Sequence, residues 1–194
     1  PTRFFSAHFA FTIGKFAKDV PYDPNIYFHG EEITMAVRSY TCGYDLFVPN
    51  QTLAWHEYTR KGRRRVWEDH TDWVETNRKS LKLCKGILGV DGDYFERVSY
   101  KYGLGTARTL EDYMKFSGIR FTDRAVQTYT LHDIDPPNPE YRYADMYEQS
   151  FVHIFRHCID VYKKDIEDID WDGWVIVFED ESGAQLQLSL IHIS

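Results

Sequence analysis

The chain has 194 residues, of which 43% are hydrophobic and 16% aromatic, enough apolar side chain to bury a real core, and this excludes a disordered polypeptide. Thirty acidic residues against 23 Lys and Arg leave a formal net charge of -7, which argues against a general nucleic-acid binder, because such proteins hold phosphates with surplus cation. Cys42, Cys84 and Cys158 are far apart and form no C-x-x-C pair, so neither a disulfide framework nor a zinc finger is suggested, and no run approaches the ~20 apolar residues of a membrane helix.

In chain order, the aromatic-rich residues 4–12 (FFSAHFAFT) before Gly14 predict a buried strand, followed by a short helix or turn over 15–18. Two prolines, an Asp and a Gly make residues 20–30 (VPYDPNIYFHG) an irregular loop with fixed turns. Ile33, Ala36, Val37 and Tyr40 then share one helical face and Gly43 is placed to stop that helix. Its first turn carries Glu31 and Glu32, where negative charge suits the positive end of the helix dipole. Residues 44–48 and 52–55 predict two short strands about the Pro49–Asn50 turn, delivering His56 at a strand end.

The polar, basic stretch after His56 predicts a loop and then a helix starting near Arg64. A second helix is expected over 109–116 behind the glycine-containing loop YGLGTAR. Past Gly118 the pattern predicts a strand over 124–131, a proline-rich connector, a long helix over 144–166 from the spacing of Tyr147, Phe151, Ile154, Cys158 and Val161, and a closing hairpin over 174–178 and 185–190. A domain boundary is placed near residue 123, with a small α/β module over 124–194. The chain opens at Pro1 without an initiating Met and closes on an alternating apolar run, so both ends are expected to be cut from a longer reading frame.

The window from Tyr22 to Arg60 concentrates the chemistry. A Pro/Gly loop ends in paired carboxylates, these open a helix bearing Arg38, and His56, Tyr58 and Arg60 follow one hairpin later. A neutral imidazole can ligate a divalent cation, Arg60 and the run Arg63, Arg64, Arg65 can neutralise a pyrophosphate, and a carboxylate pair can grip sugar hydroxyls. Arg38, inside the helix, serves either a buried hydrogen-bonding role or substrate contact. His8 lies on a strand expected to line the same pocket. His153 and His157 fall on one helical face, but no third ligand accompanies them, and a helix-surface role is the plainer reading. Trp171 and Trp174 are expected to pack in a core rather than stack on sugar.

This ordered series resembles the retaining N-acetylglucosaminyltransferase family that includes the cytoplasmic hydroxyproline-directed polypeptide GlcNAc transferases of protists. More distantly it is similar to the mucin-type polypeptide GalNAc transferases. The matching residues are SAHFAF with Gly14, VPYDP, the F-x-GEE-x-x-M-A-x-R run from Phe28 to Arg38, the T-x-GYD-x-F-x-P run from Thr41 to Pro49, and His56 with Tyr58 and Arg60. The pattern continues less sharply through RRRVWEDH and YGLGTARTLEDYMKFSGI to about Ile119, so it covers roughly the first 120 residues.

The resemblance implies an α/β fold of GT-A type, with residues 1–123 as the carboxyl-terminal part of the catalytic domain. It implies a metal-dependent glycosyltransferase that moves a sugar, GlcNAc above others, from a UDP-sugar to a hydroxyl of a protein, peptide or glycan, with Mn or Mg as cofactor. Neither nucleic acid nor a membrane segment enters this picture, and the implied compartment is cytoplasmic. Glu31 and Glu32 are then the residues at the reaction centre, His56 is a metal ligand, and His8, His29, Gly30, Tyr58 and Arg60 contact substrate. The family's acidic metal pair belongs upstream of Pro1, so this chain alone is expected to be inactive. Asp91-Gly-Asp93, Asp133-Ile-Asp135, Asp168-Ile-Asp170 and Asp170-Trp-Asp172 all lie downstream of His56 and read as turn and capping residues. Two rivals remain: a non-catalytic carbohydrate-recognition module, and a metal-dependent hydrolase using Glu31 or Glu32 as base.

Overall fold

The computed structural model of the chain describes residues 1–57, 62, 64, 69–70, 72–90, 100–153, 175–179 and 185–190. The chain divides into two compact units, Pro1–Phe155 and Arg156–Ser194. The first is mixed α/β: helices α1 (Gly14–Asp19), α2 (Glu31–Thr41), α3 (Trp73–Leu88) and α4 (Leu110–Ser117) precede a small sheet. That sheet holds β1 (Ile119–Arg120), β2 (Ala125–Gln127) and β3 (Phe151–His153) in the antiparallel order β1-β2-β3, with α5 (Thr128–Leu131) and α6 (Ala144–Gln149) between β2 and β3. The sequence boundary near 123 falls in the turn between the paired strands β1 and β2, inside the first unit. In the second unit β4 (Val175–Glu179) and β5 (Gln185–Leu190) form the expected antiparallel hairpin, with an irregularity in register at Phe178/Glu179.

Helix α2 is the centre of the first unit. Met35, Ala36 and Val37 are fully buried, and burial of a Met or Val side chain stabilises by about 1.5–3 kcal/mol. Ala36 and Val37 pack with Leu88 of α3 and with Tyr113 of α4 and Phe121, while Met35 packs with Phe16 of α1 and Val20. Polar residues sit in the same helix because their groups are satisfied locally: Ser39 Oγ donates to Met35 O at 2.6 Å and Thr41 Oγ1 to Val37 O at 2.9 Å. Arg38 is buried too. It donates to Gly103 O at 3.4 Å and lies 5.9 Å from the Tyr102 ring, and burial lowers its pKa. The loop before α4 crosses the end of α2, where Ala107 N and Arg108 N both donate to Thr41 O. Gly105 permits this approach, since a Cβ there would come within 2.5 Å of the Thr41 backbone.

Helix α4 starts at a capping box, with Thr109 Oγ1 accepting from Asp112 N at 3.0 Å and Thr109 N donating to Asp112 Oδ2 at 2.8 Å. Helix α3 begins at Trp73, with Asp72 and Glu75 setting negative charge at its positive end, and most of the stretch around Arg64, where a helix start is expected, lies outside the described residues. Buried Arg3 ties the start of the chain to the sheet region. Its guanidinium donates to Ser117 O at 2.9 Å, Ile134 O at 2.6 Å and Asn138 Oδ1 at 3.0 Å, and Tyr113 Oη donates to Arg3 O at 2.6 Å.

Three expectations differ. Residues 4–12, 44–48 and 52–55 have strand-like sequences, yet among the described residues they form no ladder. Thr2 N, just ahead of the first segment, donates to Leu46 O, and the segments enclose an apolar groove of about 470 Å³ lined by Phe4, Phe9, Phe11, Phe47 and Leu53. A strand needs a hydrogen-bonded neighbour as well as propensity. The strand over 124–131 is β2 followed at once by the single turn of α5. Of the long helix expected over 144–166, the part at the start forms α6, which ends at Gln149 because Phe151 leaves to pair with Gln127 on β2; residues 154–166 lie outside the described residues. The i, i+4 spacing of Tyr147 and Phe151 is real contact, with rings 5.1 Å apart, made across the turn at Ser150.

Candidate functional site

The loop of residues 20–30 is held by two fixtures. Buried Asp23 accepts from Asn25 N at 2.9 Å and from Tyr100 Oη at 2.6 Å, which makes the first turn rigid. Further along, the loop lies on one face of α3. Tyr27 N donates to Ser80 Oγ at 3.0 Å, His29 Nδ1 stands 3.1 Å from Asn77 Oδ1, and the Cys84 thiol lies 3.9 Å from His29 O. Residues 77, 80 and 84 recur at helical spacing, so one stripe of α3 supports the whole turn.

Gly30 ends the loop as the N-cap of α2 with φ 93°. A Cβ there would stand 2.6 Å from Cys84 Sγ, so the position requires glycine for conformation and for space. Burial pushes the Cys84 thiol up to about 11, keeping it neutral and inert behind the turn. The product of this packing is that Glu31 and Glu32 emerge, half-buried, on the first turn of a helix whose remainder is locked in the core.

Glu32 is the hub of the cluster. Its Oε1 accepts from Ala7 N at 2.8 Å and lies 4.0 Å from His8 Nδ1, and that nitrogen is also 3.2 Å from Ser6 Oγ. The His8 ring meets His56 edge-on, with centroids 4.4 Å apart and planes at 87°. The turn at residues 6–8 thus joins the acid-bearing end of α2 to the imidazole that follows the 44–55 segment. Tyr22 completes the wall: Phe5 packs edge-on to it at 6.2 Å, and its phenol is raised above its ordinary range by burial and then by the charges of Glu31 and Glu32.

Of the residues singled out from sequence, Glu32, His8 and His56 come together, with Glu31, Gly30 and His29 on the adjoining turn. Tyr58, Arg60, Arg63, Arg65, His157, Trp171 and Trp174 lie outside the described residues. His153 is on β3, not on a helix, with Nδ1 3.2 Å from Asp123 O. Asp133 is a turn residue at φ 54°, and the other Asp-x-Asp pairs are outside the described residues. No group of three or more His, Cys, Asp or Glu side chains able to hold a metal ion occurs among the described residues. No described helix is long and apolar enough to cross a membrane.

Sequence reasoning missed Tyr22, Asn77 and Ser80 as parts of the site. The signal for the last two was present: small polar residues at 77 and 80, in register with Cys84, on the face a helix normally buries.

A family model described as Glycosyltransferase (GlcNAc) matches residues 1–123, which contain every one of these groups. No curated protein and no solved structure matches the chain.

Proposed function

This chain belongs to the glycosyltransferase (GlcNAc) family, and from that premise we propose that it takes part in transfer of N-acetylglucosamine from a UDP carrier to a hydroxyl on a protein, peptide or glycan. In this reading residues 1–123 are the carboxyl-terminal part of a GT-A type catalytic domain, related at a distance to the polypeptide GalNAc transferases. The sugar–phosphate bond breaks with its electron pair leaving on UDP, the acceptor oxygen bonds to the anomeric carbon, and the hydroxyl proton is released to a base. Carboxylate beside an oxocarbenium-like carbon stabilises the positive charge that develops there, the role assigned to Glu31 and Glu32.

The observation that supports the reading is the single cluster of Glu32, His8 and His56, spanning three separate stretches of chain. The Ala7 N–H bond at 2.8 Å pre-orients the Glu32 carboxylate before substrate arrives. Bound Mn or Mg would stabilise negative charge on the departing diphosphate. His56 would hold it as one ligand; among the described residues no group of three donors completes such a site. Tyr22, against Phe5, offers an aromatic wall for the sugar, and Arg60 and Tyr58 are assigned to the diphosphate and the substrate.

Calorimetry with UDP-GlcNAc and Mn on the full-length protein tests the assignment. We expect His56→Ala to lose Mn-dependent donor binding, and Glu32→Gln to lower turnover by about 10²-fold, the order found on removing one group that stabilises developing charge. Unchanged metal and donor affinity in His56→Ala removes the metal role. Full turnover in both Glu31→Gln and Glu32→Gln removes the acids, and a protein that binds sugar but never transfers it is a recognition module.

A further inference from the structure

Asn77 is not among the groups that the proposed transfer uses, yet its side chain reaches the turn that carries the acid pair. Its Oδ1 lies 3.1 Å from His29 Nδ1. Because an amide oxygen only accepts, this contact is a hydrogen bond when Nδ1 carries the proton, and Nε2 then keeps its lone pair. His29 is exposed and stands immediately before Gly30 and the two glutamates, while its backbone is fixed by the neighbouring Tyr27 N to Ser80 Oγ bond at 3.0 Å and by Cys84 packed behind Gly30. A single face of α3 therefore sets where His29 stands and puts an amide oxygen against its Nδ1.

We propose that Asn77 is a positioning residue that holds His29 as the Nδ1–H tautomer, so that His29 Nε2 accepts a hydrogen bond from a hydroxyl or acetamido N–H of the sugar brought to Glu31 and Glu32. The sugar half of this statement rests on the transferase reading above; the tautomer half does not. The neutral imidazole is the useful form. A protonated ring would present a second donor and lose the acceptor.

The test is histidine ¹⁵N NMR on the full-length protein, with titration of UDP-GlcNAc. Wild type should show His29 protonated at Nδ1, and its Nε2 resonance should move as UDP-GlcNAc is added. In Asn77→Ala the Nδ1–H form should no longer dominate, and the KM for UDP-GlcNAc should rise about tenfold, the order of one hydrogen bond, while kcat changes far less. Asn77→Asp keeps an acceptor oxygen in place and should restore the Nδ1–H form and the KM. His29→Ala should match Asn77→Ala in KM, and the double variant should lose no more than either. A merely structural Asn77 would instead lower the melting temperature and kcat together, without this non-additivity. The proposal is overturned by an Nε2–H tautomer in wild type, by an Nε2 signal that UDP-GlcNAc leaves unmoved, or by Asn77→Ala keeping the wild-type KM. A protein that shows the Nδ1–H form but binds and transfers no sugar defeats the transferase reading and leaves the Asn77–His29 pairing standing.

Discussion

Replacing Gly30 with Ala perturbs the site without touching a charged group. Gly30 has φ 93°, and an L-residue in the left-handed region costs about 1–2 kcal/mol. The added methyl would also meet Cys84 Sγ at 2.6 Å and Cys84 Cβ at 3.2 Å, an overpacking term of about 1–3 kcal/mol. Gly30→Ala should therefore destabilise by about 2–5 kcal/mol, or for a chain of this length roughly 4–20 °C in Tm. Urea unfolding of four proteins separates the two causes: wild type, Gly30→Ala, Cys84→Ala and the double variant. Removing the thiol relieves the clash but not the backbone strain, so the double variant should be more stable than the sum of the singles by at least about 1 kcal/mol. The proposed transfer, assayed in the full-length protein, should recover with it, since the same relief returns Glu31 and Glu32 to their places. Additivity within about 0.5 kcal/mol would show that the turn does not rest on Cys84, and the account of α3 as its support would be wrong.

Two further outcomes follow from buried groups. Arg3→Ala would strand the Ser117 and Ile134 carbonyls and Asn138 Oδ1, and a loss of about 3–5 kcal/mol in denaturant unfolding is expected; Arg3→Lys, with one ammonium in place of the guanidinium fork, should recover only part. The raised Cys84 pKa gives a signed pH dependence. The native state favours the neutral thiol, so its contribution is whole below the ordinary thiol value of about 9 and is lost as pH climbs to about 11. Over that window wild type should lose about 2–3 kcal/mol more than Cys84→Ala by urea titration, and parallel curves would contradict burial of the thiol.

The helices near the site could be read from the chain because their signals are local. Glu31 and Glu32 at a helix start, Gly43 past its end and the YGLGTAR loop before residues 109–116 each act within a few residues. The terminal hairpin was equally plain, as alternation and a turn describe it fully. The failures share a cause. Residues 4–12 and 44–55 carry strand-like side chains, but a ladder is a property of two segments. The spacing of Tyr147 and Phe151 suits one continuous helix as well as a helix end folded against a strand, and only the pairing of Phe151 with Gln127 distinguishes them.

The same division runs through the site. Residue types and the charge placed at the head of α2 follow from the order of amino acids, because the helix dipole acts on the first turn alone, whereas the left-handed conformation of Gly30 is seen only in the folded turn. That His8 would bridge Glu32 and His56, that Asn77 would stand against His29, and that Cys84 would press against Gly30 were decided by tertiary packing. Such contacts join residues 24 to 54 positions apart, and their geometry exists only once α2 is buried between its neighbours and every other segment has taken the space that remains.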